Sequence, residues 1–300
     1  MMDMLRITGL HKRFGDKEVL RGLDLTVPVG SIFGFIGKNG SGKTTTMKTV
    51  LGLLKADKGE IYVNGERVEY GRTATNRFVG YLPDVPEFYS FMTASEYMDF
   101  CGEISGMAKA ETAKRRDELL ELVGLKDEKH RVGGFSRGMK QRLGIAQALL
   151  GRPKLLICDE PTSALDPVGR KEILDILLSV REQTTVLFST HILSDVERIC
   201  TDVALLNDGR VEIQGSLAEI KSRYRTEAYR VETASGEELT AIIRAFPEAE
   251  RIAGTELSFA EGAHTVFDLM AFLTDRRIDP IRLEKQEPSL ESLFMEVTKK

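Results

Sequence analysis

The sequence has few cysteines, no long uncharged apolar run and no large excess of charge of either sign. Its 300 residues include three cysteines, Cys101, Cys158 and Cys200, which form no CxxC pair. This usage argues against a disulfide framework or a zinc site and predicts free thiols in a reducing compartment. No stretch approaches the roughly 18 to 20 apolar residues of a membrane-spanning helix, and the first residues lack a signal-peptide pattern. If the protein serves a membrane, we expect it to dock on another subunit.

The charge balance is close to neutral. Lysine and arginine together number 42, and aspartate and glutamate 46, which leaves a formal net charge of −4. A protein that binds nucleic acid through a dominant basic surface usually carries an excess of positive charge, so we expect no nucleic-acid partner. The length is enough for one large domain with a small one, or for two modest domains.

Short apolar runs alternate with helical patterns through most of the chain. This alternation predicts an α/β fold with a mostly parallel sheet that is covered on both faces. The N-terminal segment instead alternates apolar and polar positions, which predicts an antiparallel β subdomain. Asn64 and Gly65 predict a hairpin turn within it. Further predicted strands are residues 31–36, 59–63, 66–68, 78–82, 154–158, 185–189 and 202–207.

Helical patterns and a change of composition divide the chain further. Residues 93–122 and 136–150 have helical periodicity and predict an α-helical subdomain at about residues 90–140. A polar and basic linker then separates a main domain, residues 1–222, from a small α+β accessory domain, residues 227–300. In the accessory domain, strands are predicted at 229–233, 255–259 and 281–285, and helices at 237–246, 266–276 and 290–297.

The most specific motif is a glycine-rich stretch between a predicted strand and a predicted helix. Residues 37–44, GKNGSGKT, match the pattern G-x-x-x-x-G-K-[ST]. Small residues let backbone N–H groups curl around phosphate oxygens, and the following helix N-terminus adds donors and a positive dipole end. Lys43 would place its charge between β- and γ-phosphates, and Thr44 would offer its hydroxyl to Mg²⁺. A glycine-rich loop can also merely turn the chain, but the flanking strand and helix favour a nucleotide site.

Two adjacent carboxylates end an apolar strand. Residues 155–158 are followed by Asp159 and Glu160. Asp159 would hold Mg²⁺ directly or through water, and Glu160 would accept a proton from the water that attacks the γ-phosphate. Adjacent carboxylates are unfavourable unless cations neutralise them, and we expect Mg²⁺ and Lys43 to do so. Polar residues at a strand end are common by themselves, but the phosphate loop in the same chain favours a catalytic interpretation.

A phosphate loop alone leaves kinases, GTPases, helicases and transport motors open. No Asn-Lys-x-Asp guanine motif is present, which disfavours a GTPase. The motif Phe135-Ser136-Arg137-Gly138-Met139 resembles the LSGGQ signature of ATP-binding cassette (ABC) ATPases. The match is partial, because Arg137 stands where the family usually has Gly and Met139 where it usually has Gln. The run KQRLGIAQALLGRPKLLICDEPTSALDP that follows is similar to the family almost continuously.

Three more segments resemble the same family in the same order, so that the resemblance covers about residues 5–220. They are similar to its D-loop at Ser163, Ala164, Leu165 and Asp166, to its switch histidine at His191, and to its adenine-stacking aromatic residue at Phe14. The resemblance implies a P-loop NTPase core. The ATP-binding residues that it implies are Phe14, Gly37, Lys38, Asn39, Gly40, Ser41, Gly42, Lys43, Thr44 and Thr45.

The resemblance also implies a mechanism, in which two copies form a head-to-tail dimer with ATP between them. Ser136 and the backbone N–H of Gly138 would contact the γ-phosphate that Lys43 of the other copy holds. The start of a helix near Ser136 can face an anion, as this role requires. His191 would contact the γ-phosphate and orient Glu160 and water. The implied catalytic residues are therefore Lys43, Glu160 and His191, and the reaction is Mg²⁺-dependent hydrolysis of ATP.

One position departs from the family pattern in a way that concerns the metal. The family's Q-loop glutamine should follow the run GYLP, and this chain has Asp84 there. An aspartate could ligate Mg²⁺ directly or through water, but it adds a third carboxylate near the metal. We expect an active site that depends more strictly on Mg²⁺. The predicted metal ligands are Thr44, Asp159 and Asp84.

Several features indicate what the ATPase drives. Lys43 and Asp159 are separated by 115 residues, too few for the coiled coil of chromosome-maintenance ABC ATPases. The single phosphate loop differs from the two loops of translation-factor ABC proteins. Residues 93–133 resemble the helical subdomain that receives a membrane subunit, and the ending QEPSLESLF is similar to ATPases that partner ABC-2 type exporters.

We therefore predict the ATPase subunit of an exporter, peripheral on the cytoplasmic face of the membrane. Its expected partners are an integral membrane subunit and a second ATPase subunit, in a homodimer. The alternative is a soluble regulatory or ribosome-associated ABC ATPase. The accessory domain either stabilises the dimer or modulates activity, or it is a passive packing extension.

Overall fold

The computed structural model describes residues 3–223 and 228–286, together with Leu290 and Leu293. The chain divides into two compact units, Met1–Ala218 and Glu219–Lys300. Among the described residues, no helix has the length and apolar character needed to cross a membrane.

The described residues of the first unit form ten strands and six complete α-helices, and a seventh α-helix begins at its end. In chain order the strands are β1 (Asp3–Phe14), β2 (Lys17–Pro28), β3 (Ile32–Ile36), β4 (Lys58–Val63), β5 (Glu66–Arg67), β6 (Val79–Leu82), β7 (Leu155–Asp159), β8 (Thr185–Thr190), β9 (Asp202–Asn207) and β10 (Arg210–Ser216). The helices are α1 (Lys43–Val50), α2 (Ala94–Ile104), α3 (Lys109–Leu122), α4 (Arg137–Leu149), α5 (Pro167–Ser179), α6 (Leu193–Ile199) and α7 (Leu217–Arg223).

An antiparallel sheet forms the N-terminal part of this unit, in the order β2-β1-β4-β5. The hairpin between β4 and β5 turns at Asn64 and Gly65, whose φ angles are 49° and 80°. Two consecutive positive φ angles are those of the turn that Asn-Gly favours, so the predicted hairpin is confirmed. The buried positions of β1, such as Leu5, Ile7 and Leu10, face an apolar core that also contains residues of the central sheet and α1.

The central sheet has the order β10-β9-β3-β8-β7-β6, and all its neighbouring strands are parallel except the β9–β10 pair. Every residue of β3, β7 and β8 is buried. Strands covered on both faces require nearly continuous apolar sequence, which is the pattern seen here. The register aligns Ile36 with Thr190, Asp159 with Ser189, and Leu82 with Cys158. The segments that follow β3, β6, β7 and β8 therefore meet at one edge of the sheet.

The helical subdomain differs in one detail from the sequence pattern. Residues 93–122 were predicted to be continuously helical, but α2 and α3 are separate helices. Gly106 between them has a φ of 71°, a conformation that a C-terminal glycine adopts at little steric cost and that ends a helix. Thr93 and Glu96 form a capping box at the start of α2, which stabilises that end by satisfying backbone donors.

The second unit is a small α+β fold with one antiparallel sheet. Its elements follow the β-α-β-β-α-β order of ferredoxin-like folds. They are β11 (Ala228–Glu232), α8 (Gly236–Ala245), β12 (Ala249–Ala253), β13 (Glu256–Ala260), α9 (Val266–Asp275) and β14 (Arg282–Lys285), with the sheet order β12-β13-β11-β14. Buried residues from the sheet and both helices, among them Val231, Ile242, Phe259 and Leu269, form its core.

The second unit contains one strand that the sequence did not predict, and one of its predicted helices lies mostly outside the described residues. Strand β12 was not predicted, because only Ala249 is buried and the rest of the strand is exposed. An edge strand with one buried residue lacks the alternation that reveals a half-buried strand. The predicted helix over residues 290–297 lies outside the described residues, apart from Leu290 and Leu293. The predicted α/β architecture, with its antiparallel and helical subdomains and the small C-terminal α+β fold, is confirmed.

Candidate nucleotide-binding site

The glycine-rich loop connects β3 to α1 and its shape depends on glycine. Gly40 and Gly42 have φ angles of 80° and 112°, in the region that favours glycine. A Cβ atom at Gly42 would lie 2.7 Å from Cδ2 of Leu20, and one at Gly37 would lie 2.7 Å from the carbonyl oxygen of Leu206. The loop can therefore fold closely against neighbouring elements and turn its backbone toward the edge of the sheet.

Lys43 lies at the start of α1, with only 5% of its surface exposed. Its ammonium donates hydrogen bonds to the carbonyl oxygens of Gly37 at 2.6 Å and Lys38 at 3.3 Å. The same Nζ atom lies 3.0 Å from Oε1 of Glu160, which makes a buried ion pair. The hydroxyl of Ser41 is buried and has no hydrogen-bond partner within the described chain. Because buried polar groups are normally satisfied, this hydroxyl indicates room for a polar ligand in the loop.

The two carboxylates of the β7 end have different surroundings. Asp159 is 2% exposed and accepts a hydrogen bond from the hydroxyl of Ser189 at 2.6 Å. Glu160 has a φ of 48°, which is unusual for a residue with a side chain. Its backbone N–H donates to the carbonyl oxygen of Ser189 at 3.2 Å and to the hydroxyl at 3.0 Å. Strained conformations of this kind persist where surrounding contacts impose them, and here β8 does so.

His191 follows β8 and completes a row of polar groups. Its Nδ1 atom lies 2.9 Å from Oε2 of Glu160, while Oε1 of the same carboxylate faces Lys43. Glu160 is thus held between an ammonium and an imidazole. The Lys43 ammonium is the chain's own cation next to this carboxylate.

A cavity of about 480 Å³ lies beside these groups, a size typical of small-molecule sites. It brings together residues from five separate segments of the sequence. Its lining consists of Phe14, Lys17, Val19, Asn39, Gly40, Gly42, Lys43, Thr44, Thr45, Asp84, Glu160, Ser163 and His191.

Two lining residues, Lys17 and Val19, were not predicted from the sequence. The hairpin register pairs Phe14 with Lys17, so both residues lie at the turn between β1 and β2. Phe14 is about half exposed, and the ammonium of Lys12 lies 5.2 Å from its ring centroid. A hairpin prediction at residues 15–16 would have been the signal that places Lys17 next to Phe14. Ser189, which holds the Asp159 carboxylate and the Glu160 backbone, was also missed, because a buried serine near a strand end carries no motif by itself.

Asp84 lies on the rim of this cavity, and its side chain is 49% exposed. Burial and the nearby Asp159 and Glu160 carboxylates raise the pKa of Asp84, while Arg137 and His191 act in the opposite direction. Nη2 of Arg137 donates to Oδ1 of Asp84 at 3.3 Å. Mg²⁺ and Lys43 were predicted to neutralise Asp159 and Glu160, and the sequence did not reveal the pair of Arg137 with Asp84.

The signature segment lies outside the cavity of its own chain. Ser136 is exposed and caps α4, where its hydroxyl accepts a hydrogen bond from the N–H of Met139 at 3.2 Å. Phe135 is buried and anchors the segment. None of the residues from Phe135 to Met139 lines the cavity. A single chain therefore presents the phosphate loop and the signature helix as two separate surfaces.

The D-loop connects these two surfaces. Ser163 lines the cavity, whereas a Cβ atom on Gly138 would lie 3.9 Å from Cδ2 of Leu165. Ala164 has a φ of 53°, and Asp166 caps α5 by accepting a hydrogen bond from the N–H of Gly169 at 3.0 Å. The loop thus reaches from the carboxylate edge to the start of the signature helix.

Comparison with known proteins relates both units to one family. The sequence matches the family model for the ABC transporter over residues 20–163, and the model for the C-terminal domain of DrrA1-3-like ATP-binding proteins over residues 215–298. It is 37% identical to the uncharacterized ABC transporter ATP-binding protein YxlF of Bacillus subtilis, over 98% of this chain and 99% of that protein. It is 32% identical to the linearmycin resistance ATP-binding protein LnrL of Bacillus subtilis, over 98% of each chain. It is 40% identical to the bacitracin transport ATP-binding protein BcrA of Bacillus licheniformis, over 75% of this chain and 74% of that one.

Solved structures agree with these sequence matches. The ATP-binding subunit of an ABC transporter superposes with a TM-score of 0.66 and 32% identity, over 74% of this chain and 93% of that chain. An ATP-binding cassette solved as a dimer in a post-hydrolysis state, with ADP and phosphate bound, has a TM-score of 0.63 and 25% identity, over 71% of this chain and 99% of that chain. The chain therefore belongs to the ATP-binding proteins of ABC transporters.

Proposed function

We propose that the first unit binds ATP in the 480 Å³ cavity and hydrolyses it, and that residues 1–222 carry this activity. The observation that carries the proposal is the Glu160 carboxylate held between the buried Lys43 and the exposed His191, next to a glycine-dependent loop. The loop N–H groups, the Ser41 hydroxyl and Lys43 would bind the β- and γ-phosphates, because together they form a positive and donor-rich cradle. Phe14, exposed on the opposite rim, would stack on the adenine.

Glu160 is the proposed general base. In hydrolysis its carboxylate accepts a proton from water, the water oxygen bonds to the γ-phosphorus, and the bond from that phosphorus to the β–γ bridging oxygen breaks. ADP and inorganic phosphate are the products. His191, within hydrogen-bond distance of Glu160, would orient this carboxylate and contact the γ-phosphate.

A magnesium ion fits the donor set of this edge. Thr44 is exposed and lines the cavity. Asp159 does not line it, but this buried carboxylate ends β7 directly before Glu160, which does. Hydroxyl and carboxylate oxygens are ligands that Mg²⁺ prefers, and when bound the ion would neutralise phosphate charge. Among the described residues no group of three or more His, Cys, Asp or Glu side chains could hold a metal, so phosphate oxygens and water would complete the coordination. Asp84 is the proposed third protein ligand, directly or through water.

A homodimer accounts for the separate signature surface. Ser136 is exposed at the N-terminus of α4 and does not line the cavity of its own chain, and such a terminus is suited to an anion. We propose that Ser136 and the Gly138 N–H contact the γ-phosphate bound by a second copy. The dimeric cassette among the similar structures supports this assembly.

An aromatic groove supports a membrane subunit as the other partner. The groove has a volume of about 880 Å³ and lies between the β6 end and α2. Tyr89 and Ile104 line it with half or more of their surfaces exposed. Tyr97 and Phe100 make ring contacts with Tyr89, and Phe88 makes one with Tyr97. A groove with exposed aromatic and aliphatic side chains beside polar ones suits a short amphipathic helix of a membrane protein. The names of BcrA and LnrL refer to bacitracin transport and linearmycin resistance, so we propose an exporter, with this chain on the cytoplasmic face.

The test of the enzymatic proposal uses the Glu160→Gln variant. We expect it to bind ATP, to hydrolyse ATP at least about 100-fold more slowly than wild type because the base is lost, and to form a dimer with ATP. Phosphate release measures the loss of hydrolysis, and light scattering with and without ATP measures dimer formation. A variant that stays monomeric at saturating ATP would contradict the dimer, and one with wild-type turnover would contradict the base.

The test of the membrane proposal is co-purification. The chain should elute from detergent-solubilised membranes with an integral membrane protein, and a double Tyr89→Ala and Ile104→Ala variant should lose this partner while keeping ATPase activity. Sedimentation with ribosomes, without any membrane partner, would instead support a regulatory ABC ATPase.

A further inference from the structure

The two positions at which the sequence departs most clearly from the family pattern contact each other. Asp84 stands in place of the usual Q-loop glutamine and adds a negative charge. Arg137 stands in place of a usual signature glycine and adds a positive charge. The structure places Nη2 of Arg137 3.3 Å from Oδ1 of Asp84, 53 positions away in sequence. The negative charge of Asp84 and the positive charge of Arg137 therefore compensate each other where the two side chains meet.

The surroundings of Asp84 explain why such a charge needs compensation. Asp84 lines the same cavity as Glu160, and Asp159 and Glu160 both act to raise its pKa. Under the proposed function the triphosphate of ATP adds further negative charge to this space. A carboxylate without a counter-charge would then repel the ligand, because like charges a few ångströms apart interact strongly away from bulk water.

Arg137 has no evident structural reason to be at this position. It is the first residue of α4, where a positive charge opposes the helix dipole. The backbone near Asp84 does not depend on it either. The carbonyl oxygen of Asp84 accepts a 2.7 Å hydrogen bond from Nε2 of Gln141, a fully buried residue one turn further along α4. Gln141 thus positions the backbone, while Arg137 acts on the carboxylate.

We propose that Arg137 is a positioning and charge-compensating residue for ATP binding, which holds and neutralises the Asp84 carboxylate at the rim of the cavity. This proposal rests on the proposed function, since it concerns the same ATP site. It assigns to Arg137 an action within its own chain, in addition to any contact of the signature segment with a second copy. It also predicts that the effect of replacing Arg137 on ATP binding depends on whether Asp84 is present.

A double-mutant cycle tests this dependence. Arg137→Gln is made in two backgrounds, Glu160→Gln and Glu160→Gln with Asp84→Asn, and ATP affinity is measured by calorimetry with Mg²⁺. With Asp84 present, we expect Arg137→Gln to weaken ATP binding about three- to tenfold, the range for one partly solvated charge. In the Asp84→Asn background the same substitution should change the affinity less than about twofold. Arg137→Lys, which keeps the charge, should retain most of the affinity.

A matched pair elsewhere in the unit provides the control. Arg198 and Asp175 form a 2.9 Å pair with 41% and 50% exposed side chains, close to the 43% and 49% of Arg137 and Asp84. They do not line the cavity. Exposed pairs contribute little to folding, so both sets of variants should fold, and Arg198→Gln should leave ATP affinity unchanged.

The outcomes separate this proposal from the proposed function. If Arg137→Gln weakens ATP binding equally in both backgrounds, or in neither, compensation of Asp84 is wrong although the ATP site stands. If the Glu160→Gln parent shows no ATP binding at all, the proposed function itself fails, and the cycle with it.

Discussion

Two regions of the first unit differ in how many of their polar groups have partners within one chain. The first is the phosphate-loop edge, which carries residues 37–45 with Asp159, Glu160 and His191. The second is the signature surface, residues 135–139. At the edge, Lys43 and Asp159 are almost completely buried, and Glu160 is held by an ammonium and an imidazole. At the signature surface, Ser136 is exposed and its only described side-chain bond is the cap of its own helix. The edge is organised without a ligand, whereas the exposed Ser136 has no described contact with the cavity of its own chain. Under the proposed function, the first region binds nucleotide in a monomer and the second acts only on the nucleotide of another copy.

The largest effect is expected when the buried ammonium of Lys43 is removed from the phosphate-loop edge. Lys43→Ala should weaken ATP binding on the order of 10- to 100-fold, because a charge-assisted phosphate contact is lost and Glu160 loses its partner. Calorimetry with ATP measures the loss. Lys48→Ala is the matched control, since Lys48 is exposed on the same helix and should have no effect on affinity. Equal affinity of Lys43→Ala and wild type would show that the edge is not the phosphate site.

The signature surface can be tested separately. Ser136→Ala in a Glu160→Gln background should reduce ATP-induced dimerisation about tenfold, because a donor to the γ-phosphate is lost, while ATP affinity of the monomer stays the same. Light scattering across a concentration series measures the dimer.

Loss of a helix cap is a confounding effect of about 1 kcal/mol in this variant. Ser235→Ala removes an equivalent cap from α8, where Ser235 accepts a hydrogen bond from the N–H of Glu238. If both variants dimerise like the parent, the signature surface does not receive the nucleotide of a second copy.

The smallest expected effect concerns Asp84, which lies between the two regions. Its carboxylate should make activity fall more steeply at low Mg²⁺, so Asp84→Gln should retain a larger share of its ATPase activity there. Because Arg137 already compensates part of the charge, we expect a shift of about twofold in the Mg²⁺ concentration for half-maximal activity. Superimposable Mg²⁺ titrations of variant and wild type would rule out a role of Asp84 in metal dependence.

Sequence patterns predicted the elements of the fold where burial is strong. The strands β3, β7 and β8 are buried along their whole length because both faces of the sheet are covered, and each contains an apolar run that predicts its position. Strand β12 could not be predicted, since its exposed edge residues carry no periodicity. The break between α2 and α3 depends on Gly106, which adopts a positive φ. A single glycine in a helical pattern does not reveal whether the chain turns there or continues.

The candidate site likewise contains some groups that local motifs predict and others that only tertiary contacts bring into it. Local sequence determined the phosphate loop, the Asp159–Glu160 carboxylates and the helix start at Ser136, because each depends on residue types within one short segment. Only the tertiary structure decided which distant groups meet them. Ser189 holds the Asp159 carboxylate and the Glu160 backbone from a neighbouring strand, and Arg137 reaches Asp84 across 53 positions of sequence. Contacts of this kind depend on strand register and helix packing, which bring together side chains that no local pattern connects.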